Sequence, residues 1–292
     1  ALNGAHELFG ATEADDAAFG ADALLDGYAV ISRAISRTSE VNDVMQVYAI
    51  PDFEAAGIVV AHDSVDIAGR PLEYVSYTPS GLDEPHPLVL VFHGGGNHAE
   101  YLVWTTGWAR LAAEEGFAVV SVNRHVERSG GDVVALLDHL LETDPAIDAS
   151  RVYASGFSMG SVKTWELSGA FAERFAAFAP MSGSFEAPGE VPETLAPTIY
   201  FAGMNSPLPE RPHQDGENAN DIDTRLAAIL AQNGVTDAYA FDADADPVWG
   251  IAPDATEVVR SAEFPDVSVT VNSYASADGR VLTAFAAVDH AS

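Results

Sequence analysis

Cysteine is absent from all 292 residues. That removes disulfides, thiolate catalysis and cysteine-ligated metals together, and leaves the redox compartment open. Lysine is nearly absent: Lys163 is the only one, and 13 basic residues face 44 acidic ones for a formal net charge of −31. Such a surface repels nucleic acid and anionic membranes, both of which are bound through Lys and Arg, and it argues against polyanionic substrates. It suits a saline habitat, where ions screen the self-repulsion, although compositional drift in an Ala- and Asp-rich chain is the plainer explanation. No apolar run is long enough to span a bilayer, so an integral membrane protein is not expected. The chain opens "ALNGAHELFG" with no basic-then-apolar leader. A mature secreted protein would begin this way, and so would a trimmed chain.

What is present is the composition of an ordinary folded protein, 48% hydrophobic and 20% charged, long enough to bury a sizeable core. Residues 1–45 are Ala-rich and read as a helical or irregular extension with turns at Gly20 and Gly27 and no motif. Residues 46–292 read as one domain. Gly57 to Tyr77 alternates like a strand pair turning at Gly69, and Leu88 to Phe92 is a continuous apolar run. Strands and helices then alternate: a helix from Glu100 to Glu115 closed by Gly116, a strand "FAVVSV", a helix from Asp132, a strand at Val152 and a helix from Met159. A strand through "AAFAPMSG", another from Thr198, a helix from Ile222 to Gln232 and two final strands about Asp278-Gly279 complete the pattern. Buried apolar strands alternating with amphipathic helices predict an α/β fold, a mostly parallel sheet with helices on both faces.

Three stretches carry chemistry. In "RVYASGFSMGSVK", Gly156-Phe157-Ser158-Met159-Gly160 lies between a strand and a helix. There a sharp turn would hold Ser158 above the sheet as a nucleophile. In "VLVFHGGGNHAEY", His93-Gly94-Gly95-Gly96 follows a buried strand. It offers the N–H groups of Gly94 and Gly95, with that of Met159, to a developing oxyanion. No Gly-Lys-Ser/Thr follows, which disfavours a phosphate loop. In this arrangement the order is nucleophile, acid, base, and only His213 and His290 follow Ser158. His213 comes too soon to leave room for the acid, so His290, just past the last strand, is the base. The acid belongs in the loop after the Thr198 strand, where Glu210 is the first carboxylate and the preferred one. Asp215, Glu217 and Asp221 follow it, and Glu186 is an outside candidate.

With these motifs in place, the stretch from Gly57 to Ala202 resembles the poly(3-hydroxybutyrate) depolymerase-like and feruloyl esterase group of α/β-hydrolases. The resemblance rests on "HPLVLVFHGGGNHAEYLVWTTGWARLAAEEGFAVVSVN", "GDVVALLDHLLETDPAIDASRVYASGFSMGS" and "RFAAFAPMSG". It implies an α/β-hydrolase fold and an esterase with Ser158 as nucleophile, His290 as base and Gly94 or Gly95 in the oxyanion hole. It also implies an Asp three residues after Gly203, and that position is Ser206 here. The cysteines that secreted relatives often carry are missing.

Trp104 and Trp108 could line an acyl or aryl pocket, though helix packing is the commoner use of such residues. His98, Arg124 and His125 lie at the C-terminal ends of strands, where ligands bind in this architecture, and are substrate-contact candidates beside Trp104. Trp165, seven after Ser158, reads as core. Asp242, Asp244 and Asp246 alternate like the start of a calcium loop, but Pro247 and Pro253 stand where an EF-hand needs Gly and Glu, so a solvated acidic loop is expected and no metal. The expected function is hydrolysis of a neutral carboxylic ester, small or polymeric, with no cofactor. An acyltransferase or thioesterase using the same triad, or a silent hydrolase fold serving as a binding module, are the alternatives. Nothing in the sequence sets the oligomeric state.

Overall fold

The computed structural model describes residues 52–183, 192–206, 210–213, 221–260 and 266–291. The 1–45 extension, Glu186, Asp215, Glu217 and the side chain of Asp221 lie outside the described residues. Ten strands form one sheet: β1 (Ile58–Ile67), β2 (Arg70–Pro79), β3 (His86–Phe92), β4 (Ala118–Val122), β5 (Ile147–Phe157), β6 (Ala177–Met181), β7 (Thr198–Gly203), β8 (Ala255–Arg260), β9 (Ser268–Ala275) and β10 (Val281–Val288). Their order is β1-β2-β4-β3-β5-β6-β7-β10-β9-β8. The central six, β4 to β10, run parallel, while β1 and β2 at one margin and β9 and β8 at the other pair antiparallel.

The parallel strands are apolar on both sides because helices can pack on both sides. On one face Leu88, Leu90, Phe92, Val152, Phe178, Tyr200 and Phe285 meet α3 (Gly130–Thr143), α4 (Met159–Ala170) and α5 (Asp221–Gln232). On the other, Val75, Tyr77, Val89, Val91 and Val119 meet α1 (Ala99–Thr105) and α2 (Trp108–Glu115). The helix expected over Glu100 to Glu115 is therefore two. Thr106 is extended (φ −116°, ψ 168°) and closes α1, and Gly107 opens α2. The edge strand β8, exposed at every position, was not anticipated; with neither face buried it carries no apolar run to betray it. Among the described residues no helix is long and apolar enough to cross a membrane.

Candidate active site

The β5–α4 junction is built around Ser158. Its backbone sits at φ 54°, ψ −113°, a conformation an L-residue keeps only where its surroundings enforce it. The surroundings are two glycines. A Cβ on Gly156 would lie 2.2 Å from the Gly160 carbonyl oxygen, and one on Gly160 would lie 2.0 Å from that of Phe92. The two backbone segments pass so closely that only hydrogen fits between them. Ser158 N–H donates to Met181 O at 2.9 Å, and Ser161 Oγ–H donates to Gly183 O at 2.7 Å, which fastens the junction to the end of β6. Ser158 thus follows the C-terminal end of a central strand, where open α/β sheets place their ligand crevice.

The glycine loop lies against this junction. Gly94 abuts the Phe157 ring, and a Cβ on Gly95 would stand 3.1 Å from Met159 Cγ. The N–H groups of Gly95 and Met159 donate to no backbone carbonyl among the described residues. Beneath the loop, two imidazoles stand edge to face with centroids 4.5 Å apart. His93 Nδ1–H donates to Gly94 O and His125 Nε2–H to His93 O, each at 2.8 Å. Burial disfavours the charged form of both rings. It lowers the His93 pKa, and it lowers that of His125 to about 4, aided by the His93 and Lys163 charges. His125, expected among the substrate contacts, is fully buried and supports the loop instead. The lone lysine ties the nucleophile helix to the same region: Lys163 Nζ donates to Arg128 O at 2.6 Å and pairs with Glu166, whose other oxygen accepts Gly130 N–H.

At the end of β7 the chain departs from the resemblance in an informative way. Ser206, at the position where an Asp was implied, donates its hydroxyl to Glu210 Oε1 at 2.8 Å. Gly203 N–H donates to Glu210 Oε2 at 3.1 Å, and Tyr200 OH reaches the Glu210 carbonyl at 2.8 Å. Glu210 is 4% exposed. It is a buried carboxylate held at the strand end by Ser206 and Gly203, not a solvated charge. Sequence reasoning saw Ser206 only as a missing acid; a hydroxyl four residues before a carboxylate was the available signal.

His290 lies past the end of β10, the parallel neighbour of β7. Met204 N–H donates to Val288 O and Asn205 N–H to Ala291 O, each at 2.9 Å, so the histidine's segment is laced to the loop that carries Glu210. Its backbone has φ 60°, its ring is exposed, and it makes no hydrogen bond or ion pair among the described residues. The structure brings Ser158, the glycine loop and Met159 together and places Glu210 beside the His290 segment. It does not join His290 to Ser158 or Glu210 by a hydrogen bond.

Trp104 is buried on α1 and meets the half-exposed His98 edge-on, with centroids 5.7 Å apart. His98 Nδ1 lies 3.0 Å from Glu100 Oε2; that contact, foremost, holds the Glu100 pKa down at about 2. Trp165 is core, as expected, packed on Tyr200. Arg124 is exposed at the strand end in a left-handed conformation. Among the described residues no group of His, Asp and Glu is arranged to hold a metal ion. Asp246 is no free ligand, because its carboxylate accepts the N–H groups of Val248 and Trp249 and the Asn272 side-chain amide.

No family model matches the chain. It is 33% identical over 146 residues to a bifunctional acetylxylan esterase/xylanase of Neocallimastix patriciarum, covering 47% of this chain and 22% of that protein. It is 30% identical to dipeptidyl-peptidase 5 of Porphyromonas gingivalis, covering 47% of this chain and 22% of that protein. It is 29% identical to feruloyl esterase B of Thermothelomyces thermophilus, covering 37% and 42%. The chain thus spans less than half the length of these relatives. Among solved structures, acetyl xylan esterase from Aspergillus awamori superposes with a TM-score of 0.52 at 14% identity, covering 80% of this chain and 94% of that one. The expected resemblance to esterases is borne out over about half of the sequence, and the chain has the α/β-hydrolase fold.

Proposed function

We propose that the protein is a serine carboxylic-ester hydrolase. One observation carries the reading: Ser158 is held at φ 54°, ψ −113° between two glycines that admit no side chain. A fold keeps such strain where a group must project. Ser158 Oγ attacks the ester carbonyl and passes its proton to His290. The carbonyl oxygen becomes an oxyanion facing the N–H groups of Gly94 or Gly95 and Met159. Collapse expels the alcohol, which takes the proton from His290, and leaves an acyl-serine. Water, deprotonated by His290, releases the carboxylic acid and restores Ser158. Glu210 is the acid of this triad, and the exposed His290 ring turns inward to meet it. Hydrogen bonds from Ser206 and Gly203 fix the carboxylate and support the assignment.

The substrate class is a neutral ester, a hydroxyalkanoate, an aryl ester of the feruloyl kind or an acetylated sugar. A net charge of −31 disfavours anionic polymers. Secretion fits such a substrate. The test is hydrolysis of p-nitrophenyl acetate, p-nitrophenyl butyrate and methyl ferulate, with a dipeptide p-nitroanilide for amide cleavage, by wild type and Ser158→Ala. Loss of ester hydrolysis by three orders of magnitude or more in the variant is expected. Equal rates, or none from either together with no labelling of Ser158 by a fluorophosphonate, would leave a binding module. Faster transfer to an added alcohol than to water would make it an acyltransferase.

A further inference from the structure

Three of the 13 basic residues line one cavity. It measures about 260 Å³ and lies where the start of β2 meets the turn after β4, lined by Arg70 from the strand and by Arg124 and Arg128 from the turn. The two strands are antiparallel here, and Asn123 N–H donates to Glu73 O at 2.9 Å. In a chain with 44 acidic residues an arginine is expected to find a carboxylate. Arg70 has found one, Asp132 at 3.4 Å. Among the described residues Arg124 and Arg128 have no ion pair.

Arg128 is the informative member. It is 8% exposed, its Nη2 donates to Pro71 O, and its Nη1 has no hydrogen-bond partner. A buried guanidinium answered by one neutral carbonyl is costly, because the charge has left water and met no opposite charge. Arg124 borders the same cavity from a left-handed backbone, φ 46°, which residues other than glycine seldom adopt. The turn that carries both is fastened at two points: His125 Nε2–H donates to His93 O, and Lys163 Nζ to Arg128 O. Glu73 and Glu127 also border the cavity, but both are exposed and screened by water, whereas the Arg128 charge is not.

We propose that this cavity binds a compact oxyanion, a phosphate or carboxylate group, at Arg124 and Arg128 with Arg70 at its edge. Planar guanidiniums match the paired oxygens of either group, and each such contact is charge-assisted. The net charge of −31 repels polyanions, but a single small group meets the local field of a poorly screened cation. The cavity stands at the C-terminal end of β4, on the sheet edge that carries Ser158, two strands or roughly 10 Å away. The oxyanion therefore comes free from solution or as the far carboxylate of a molecule bound at Ser158.

Calorimetric titration of the full chain with sodium phosphate tests the site, in about 0.5 M sodium chloride so that general repulsion is already screened. Wild type is expected to bind phosphate saturably, with a millimolar dissociation constant. Arg124→Asn, which suits a left-handed backbone, and Arg128→Gln are each expected to weaken binding at least tenfold. Arg110→Gln, on α2, is expected to leave it unchanged. Should Arg128→Gln fail to fold, Arg124→Asn still decides. No saturable binding, or equal affinity in Arg124→Asn and wild type, would overturn the proposal. The source of the anion is read separately, and only this arm rests on the esterase reading. Hydrolysis of mono-p-nitrophenyl suberate is compared with that of p-nitrophenyl butyrate in wild type and Arg124→Asn. A tenfold fall in the suberate-to-butyrate ratio of kcat/KM makes the anion part of the substrate. An unchanged ratio, with phosphate binding lost, makes it a free ion. If neither ester is hydrolysed the esterase reading fails, and the phosphate titration alone decides the site.

Discussion

At Ser206 the chain hangs a hydroxyl from the end of β7, and that hydroxyl and Gly203 N–H hold the Glu210 carboxylate there. The consequence is exchangeable. Glu210→Gln is expected to lower kcat for p-nitrophenyl butyrate by about 10²–10⁴ with KM little changed, the range for a base that has lost its orienting charge. Ser206→Asp/Glu210→Gln then recovers tenfold or more, because the carboxylate returns to the strand end. Full activity in Glu210→Gln would place the acid elsewhere. His125 offers a second test at this scale. Its pKa falls from 6.5 to about 4 on folding, so between those values the unfolded chain binds more protons than the folded one. Stability is therefore complete above pH 6.5 and lost as pH falls toward 4, by up to about 3 kcal/mol from this group. His125→Gln keeps a donor toward His93 O without a titrating ring. Urea midpoints at pH 7 and pH 4.5 are expected to differ less in the variant than in wild type, and an equal difference would show that His125 contributes nothing to acid sensitivity.

At the scale of elements, the β5–α4 junction shows why local pattern was so informative. Gly156 and Gly160 are required by backbone contacts of 2.2 and 2.0 Å, and sequence displays such requirements directly as glycine. Gly160→Ala is expected to cost about 3 kcal/mol or more and to abolish activity, since backbone must move. Gly169→Ala, in the same helix with nothing within 4 Å of its Cβ, is expected to gain up to about 1 kcal/mol. Thermal melting separates the two, and a tolerated Gly160→Ala would contradict the tight crossing. Buried strands were legible because both faces demand apolar residues. The break at Thr106-Gly107 was not, because apolar spacing runs through it and only the extended backbone of Thr106 ends the helix. Glu210 was ambiguous for a related reason: which carboxylate of an acidic loop bends back to Gly203 N–H depends on the loop's path, which periodicity does not encode. His125 looked like a ligand contact from its strand-end position, and only burial under the glycine loop reveals its support of that loop.

For the whole molecule, charge is the property that sequence states and the fold must tolerate. Even if all 13 basic residues found partners, 31 of the 44 acidic ones would remain uncompensated. Described pairs such as Arg151–Asp148 and Arg280–Asp278 are local and lie at the surface, and pairs of this kind contribute about 0–1 kcal/mol each. Net repulsion therefore outweighs pairing at low ionic strength, and screening relieves it. The Debye length shortens from about 10 Å at 0.1 M salt to about 3 Å at 1 M. The melting temperature is expected to rise with sodium chloride, with most of the gain complete by about 1 M, where repulsion between neighbouring carboxylates is already screened. A gain that continues linearly beyond that concentration would instead point to strengthened apolar burial. A fall with salt would mean that the ion pairs, not the excess acids, set the electrostatic balance of the fold.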